Sequence, residues 1–262
     1  MSLEDYAEKA VEFARQSSCQ YCDVRAETVS SNGFLLEDGE IEHFTSSSNS
    51  GLGIRVLVAG CWGFYSVSNP KSLEEIKNAA QDAVKNASHY SVNKKQRVKL
   101  ADTVTYVDKV DFKVLKQPTI EEMTRLGFEC DSIIKSKKRI NKSSISMEYD
   151  VFSKYFVNSD GTKTHQNFVD TIANLSATAH ESGLTESVNT MEGGRGGMEM
   201  ILGQNDITKA AEFIAQKATE LIDAKTAKED KATVVMNPDF VALLTHEILG
   251  HPSEADRVLG KE

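Results

Sequence analysis

One order of elements occurs twice along this chain, and that recurrence limits the fold more than any other feature of the sequence. Ser72-Leu-Glu-Glu75 is a capping box just after Pro70, and Leu73, Ile76, Ala80, Ala83, Val84 and Ala87 follow at helical spacing. Thr119-Ile-Glu-Glu122 repeats the device after Pro118, ahead of Met123, Leu126, Cys130, Ile133 and Ile134. An opening helix from Ser2 to about Gln16 has Leu3, Ala7, Ala10, Val11 and Ala14 on one face. A further helix is expected after Asn205-Asp206, with Ile207, Ala211, Ile214, Ala218, Leu221 and Ile222 on its apolar stripe.

Between these helices the hydrophobic period falls towards two. Val24 to Val29, Gly33 to Phe44, Gly51 to Val58 and Cys61 to Val67 read as four strands, with Asp38-Gly39 as a hairpin turn. Ile140 to Tyr149, Val151 to Asn158, Thr162 to Val169 and Ile172 to Ala179 form a second set, with a turn at Asp160-Gly161. Consecutive strands joined by short turns predict antiparallel sheet and an α+β class: a duplicated helix–four antiparallel strands–helix architecture, then a strand and a metal-binding helix. The halves repeat in architecture, not in residue identity. The expected divisions are a first half at 1–90, a linker at 91–117, a second half at 118–225 and a final segment at 226–262. The linker's Lys94-Lys95, Arg97 and Lys99 read as a solvated face.

Charge and composition exclude several functions. Thirty Lys and Arg stand against 39 Asp and Glu, a net charge of −9, which disfavours direct nucleic-acid binding. No apolar run approaches the ~18 residues of a membrane span, and the N-terminus has no export-signal pattern. Four cysteines are too few for a disulfide scaffold and fit a reducing cytoplasm.

The strongest chemical signal comes late. Lys231 to Met236 reads as a short buried strand, and Asn237-Pro238-Asp239 as the cap and first turn of a helix. That helix carries His246, Glu247 and His251 as HExxxH, one residue longer than the HExxH of many zinc peptidases. On a regular α-helix His246 and His251 lie about 140° apart, too far round to share one metal. Gly250 and Pro252 supply a means of distortion, and either a π-bulge or a helix ending near Gly250 would bring both rings to one side. The cap, the strand entry and the Gly-Pro break favour a metal site over a chance pair of histidines. Zinc normally takes three protein ligands at a catalytic site. Glu254 and Asp256 are local candidates for the third ligand, for hydrogen-bond support of an imidazole, or for plain surface acids.

Two other segments carry weaker signals. Cys19-Gln-Tyr-Cys22 has CxxC spacing but no second pair, and it reads as structural. Met191-Glu-Gly-Gly-Arg-Gly-Gly-Met198 lacks the Lys-Ser/Thr of a phosphate loop, so no cofactor-binding residues are assigned to it. It reads as a structural or peptide-accommodating loop whose Arg195 pairs with a carboxylate of this chain or of a peptide terminus.

Tyr21-Cys-Asp-Val-Arg25, Gly51-Leu-Gly-Ile-Arg-Val56, Cys61-Trp-Gly-Phe64, Asn158-Ser-Asp-Gly161, Gly193-Gly-Arg-Gly-Gly197 and His246-Glu-Ile-Leu-Gly-His-Pro-Ser-Glu-Ala-Asp256 together resemble the TldD/PmbA family. This family includes the TldD metalloproteases and is also described as modulators of DNA gyrase. The HExxxH block resembles the TldD side. The resemblance implies a cytoplasmic zinc peptidase acting on short or unfolded peptides. His246 and His251 would hold the zinc, and Glu247 would be the general base. It also implies a homodimer, or a heterodimer with a PmbA-like partner, and docking of extended substrate at a sheet edge. The family's third zinc ligand is a cysteine in a C-terminal domain. The chain therefore resembles an N-terminal portion, expected to bind zinc weakly and to be nearly inactive alone. The competing expectation is a non-catalytic peptide-binding or dimerisation module.

Overall fold

A computed structural model describes residues 1–93, 97–102, 104–203 and 206–260. Lys94, Lys95 and Asn205 lie outside the described residues. The chain forms two compact units, Met1–Asp223 and Ala224–Glu262.

The first unit is an α+β structure built on one sheet. Helix α1 (Leu3–Gln16) leads into β1 (Tyr21–Glu37), β2 (Glu40–Val58) and β3 (Cys61–Ser68), and α2 (Leu73–Asn93) follows. A short β4 (Val107–Asp111) precedes α3 (Ile120–Lys135), β5 (Ile140–Asn158), β6 (Lys163–Glu181), β7 (Leu184–Arg195), the single turn α4 (Glu199–Leu202) and α5 (Ile207–Ile222). The strand order is β3-β2-β1-β5-β6-β4, with β7 also pairing β6. All pairs are antiparallel except β4 with β6.

The helices start where their caps predict. Ser72 Oγ accepts from Glu75 N–H at 3.2 Å, Thr119 Oγ1 from Glu122 N–H at 3.2 Å, and Asp206 Oδ1 from Thr208 N–H at 3.1 Å. The hairpin turn at Asp38-Gly39 is also present, both residues having positive φ (51° and 85°), as a type I′ turn requires.

The strand count differs from the expectation. The first half has three strands, not four, and the four predicted in the second half merge into two, to which β7 adds a third. Val24 to Val29 and the first part of Gly33 to Phe44 are one strand, β1; Ile140 to Tyr149 and Val151 to Asn158 are one strand, β5; Thr162 to Val169 and Ile172 to Ala179 are one strand, β6. Ser30-Ser31-Asn32, Asp150 and Asp170 look like breaks by composition. Strand β1 nevertheless has a ladder partner on both sides there, which satisfies its backbone groups without a turn. Two further strands were not foreseen: β4 inside the expected linker, and β7, which absorbs Met191 to Arg195 of the expected glycine loop.

Both helix pairs lie on one face of the sheet. Helices α1 and α2 bury Ala7, Ala10, Ile76, Ala80 and Ala83 against Val24, Ile54 and Val157. At the other end of the long strands, α3 and α5 bury Met123, Leu126, Ile134, Ile207 and Ile214 against Leu36, Ile145, Met147 and Leu175.

The second unit contains α6 (Pro238–Thr245), a π-turn (His246–Gly250), a 3₁₀ turn (His251–Ser253) and α7 (Ala255–Val258). The strand expected at Lys231 to Met236 is not formed, and Val234 and Val235 are exposed. No strand within this unit offers a ladder to these residues among those described, and a lone strand leaves its backbone groups unpaired.

Candidate metal centre

The site is assembled by one helix and the turn that ends it. Asn237 caps α6 by accepting Phe240 N–H on its side-chain oxygen at 2.9 Å, and Pro238 occupies the first turn, where a missing N–H has no cost. The helix then widens. His251 N–H donates to His246 C=O, an i→i+5 bond that defines the π-turn over His246–Gly250. One extra residue in the turn brings His251 back to nearly the same side as His246. The two imidazole rings lie 4.6 Å apart, edge to face at 78°.

This outcome separates the two distortions the sequence left open: the helix continues through a π-turn and does not stop at Gly250. His251 keeps helical dihedrals (φ −61°, ψ −45°) although proline follows it. The steric preference of a residue before proline for extended geometry is overridden here by the π-turn hydrogen bond. The missing Pro252 N–H falls instead at the start of the 3₁₀ turn, where it is tolerated.

Ligand atoms of His246, Glu247 and His251 all lie within 4.8 Å of one another. Ligand atoms around a tetrahedral zinc with bonds of ~2.0–2.1 Å stand about 3.3 Å apart, somewhat closer than this spread. His246 and His251 supply two imidazoles, donors that zinc accepts, and the Glu247 carboxylate stands beside them, so these residues fit a zinc ion. Glu247 Oε2 stands 3.7 Å from His251 Nε2.

Glu254 occupies a different place. Its Oε1 lies 2.7 Å from His251 Nδ1, while Nε2 is the ring nitrogen near Glu247. The bond raises the His251 pKa, with Glu254's charge and then that of Glu247 adding to it. It also holds Glu254 below the ordinary carboxylate range. Arg257 Nε lies 3.4 Å from the other Glu254 oxygen, a support the sequence reading missed although its i,i+3 spacing was visible. Asp256 is not part of the cluster; its carboxylate accepts Arg257 N–H at 2.9 Å.

The remaining candidates are structural. Burial pushes the thiol pKa of both Cys19 and Cys22 up, so the CxxC pair holds protonated thiols. Arg195 pairs with Asp170 of this chain, Nε to Oδ1 at 3.1 Å, and stacks 3.8 Å from the Phe168 ring centre. The glycines beside it serve close packing: a Cβ on Gly197 would lie 1.9 Å from Lys116 C=O.

Among the described residues no helix is long and apolar enough to cross a membrane. Family profiles match two segments, described as PmbA/TldA metallopeptidase domain 1 (residues 22–87) and central domain (residues 113–225). A metalloprotease of Methanocaldococcus jannaschii is 31% identical over 244 residues, covering 91% of this chain and 52% of the relative. A zinc metalloprotease TldD homolog of Saccharolobus solfataricus is 21% identical over 256 residues, covering 96% of this chain and 54% of that one. The chain thus spans about half the length of the curated relatives it matches. Two crystal structures share the fold. A proposed modulator of a DNA gyrase from Thermotoga maritima has TM-score 0.67 at 15% identity, over 87% of this chain and 50% of that one. TldE from Thermococcus kodakarensis has TM-score 0.63 at 16% identity, over 82% and 47%. The two matched segments cover more than half of the chain between them, and the chain belongs to the TldD/PmbA family of metallopeptidases.

Proposed function

We propose that the protein is a zinc metallopeptidase of TldD type that cleaves short or unfolded peptides. The π-turn supports this reading, because it turns a spacing unsuited to a regular helix into a cluster of two imidazoles and a carboxylate. His246 and His251 hold the metal, which when bound supplies Lewis acidity to the scissile carbonyl and to the attacking water. Glu247 is the general base that takes the proton from that water and returns it to the leaving amine. Glu254 is a positioning residue: its bond to Nδ1 fixes the His251 tautomer that presents Nε2. Two imidazoles fall short of the three protein ligands usual at a catalytic zinc. A further donor comes from a second domain or subunit, and the 262-residue chain alone binds zinc weakly and turns over slowly. The protein works as a dimer, with itself or with a PmbA-like partner, in the cytoplasm.

The test is zinc affinity and peptidase activity of the chain, alone and combined with a candidate second domain or subunit. His246→Ala and His251→Ala should lose both, whereas Glu247→Gln should keep the metal and lose hydrolysis by at least ~100-fold. Full activity in Glu247→Gln would overturn the assignment. Peptide binding that survives with no metal in any preparation would leave a non-catalytic binding module.

A further inference from the structure

A second group of reactive side chains meets in the first compact unit, on the face of the sheet that carries the helices. Alternation along β5 puts Ile145, Met147, Val151, Ser153, Tyr155 and Val157 on that face. Helices cover its two ends, whereas its middle is open. There Val151 is 41% exposed, and the hydroxyls of Ser30 and Ser48 meet at 3.1 Å across β1 and β2. At the α1 side of this opening His165 Nε2 lies 3.0 Å from Ser153 Oγ. The other ring nitrogen, Nδ1, lies 3.5 Å from Oε1 of Glu4 in the first turn of α1. Tyr155 sets its ring edge to face against the imidazole at 86°, and its hydroxyl is held by Glu8 at 2.7 Å.

Hydroxyl, imidazole and carboxylate in this order are the parts of nucleophilic acyl transfer. The Glu4 charge favours the tautomer with its proton on Nδ1, which leaves Nε2 to accept the Ser153 O–H. An oxyanion formed at Ser153 needs hydrogen-bond donors beside it. The register partners of Ser153 are Thr28 on β1 and Asn167 on β6. Direct cross-strand partners share a face, with Cβ atoms about 4.5–5.5 Å apart. Thr28 brings a hydroxyl. Asn167 gives one amide N–H to Asp111 at 2.6 Å and keeps a second. Val151, two positions from Ser153, is an apolar surface for a short acyl chain, and the carboxylates of Glu4 and Asp111 disfavour an anionic one.

We propose that Ser153, His165 and Glu4 form a serine acyl-transfer site that hydrolyses short, uncharged acyl esters. Ser153 Oγ adds to the ester carbonyl as its proton passes to His165 Nε2. The bond from the carbonyl carbon to the alcohol oxygen then breaks, and the alcohol leaves with that proton. Water adds to the acyl group on Ser153 and gives a proton to Nε2. The carboxylic acid departs as the proton returns to Ser153 Oγ, so each cycle consumes one ester and one water. Ser153 and His165 are the catalytic residues, and Glu4 is a positioning residue. The reaction uses no metal and stands apart from the peptidase reading.

The test uses the 262-residue chain with a chelator present and p-nitrophenyl acetate as the ester. A stoichiometric burst of p-nitrophenol is expected, with the acetyl group found on Ser153 by peptide mass mapping. Ser153→Ala and His165→Gln should each slow the burst at least about 100-fold. Glu4→Gln should slow it about tenfold with KM unchanged, a split that lost folding would not give. Circular dichroism checks the fold of each variant. No burst, an acetyl group on lysine or histidine alone, or a parent-like burst in Ser153→Ala would overturn the proposal. Because the chelator is present throughout, none of these results bears on His246 and His251, and a failed metal reading leaves the burst as predicted.

Discussion

Glu199 accepts the backbone N–H groups of Leu115, Lys116 and Gly197 at 2.9–3.0 Å, and so ties the segment between the halves to the end of β7. Burial pushes its pKa up, but these N–H donors outweigh it and bring the carboxyl down to about 2. The sign follows from the unfolded value of about 4.3. A depressed folded pKa adds stability that is complete above about pH 4.3 and is lost as the pH falls towards 2. Glu199→Gln should cost about 1–2 kcal/mol at neutral pH. Its melting temperature should also fall less than that of the parent between pH 5 and 2.5, as thermal melts would register. At the metal cluster, Glu254→Gln should weaken zinc binding about tenfold or more through His251, measured by competition with a chelating dye. The sequence named His246, Glu247, His251 and Glu254 because their spacing is local. It did not point to Glu199, whose N–H donors at Leu115 and Lys116 lie more than 80 positions away.

At the scale of elements, caps and tight turns were legible because each depends on a few adjacent residues. Ser72, Thr119, Asp206 and Asn237 all cap where expected. Strand length was not legible, since what carries β1 through Ser30-Ser31-Asn32 is a ladder to β5, more than a hundred residues later. The π-turn was only half legible: the need for distortion followed from the His spacing, its form did not. One added alanine after Leu249 would move the histidines to i,i+6, about 120° apart on a regular helix. Zinc binding should then be lost, whereas deleting Leu249 makes an i,i+4 pair and should keep it; titration of both variants checks this. Helix α2 meets β3 at Gly63, where a Cβ would lie 2.2 Å from Ala83 C=O. Gly63→Ala should therefore cost about 1–3 kcal/mol in denaturant unfolding.

For the whole molecule, the long strands are what join the two halves. Strand β1 pairs with β5 from Asp23–Asn158 to Glu37–Ser144, so one sheet carries two separate cores on the same face. The recurrence of helices and strands made the α+β class readable. The single sheet, with β4 parallel on β6, was not readable, because it depends on pairings between the halves. The metal cluster belongs to the second compact unit, and its chemistry stands on the π-turn. X-ray absorption on the zinc-loaded chain tests that chemistry most directly. Two imidazole nitrogens at ~2.0–2.1 Å from one zinc, with one lost in His246→Ala and one in His251→Ala, is the predicted result. A zinc whose ligand shell is unchanged in either variant would contradict it.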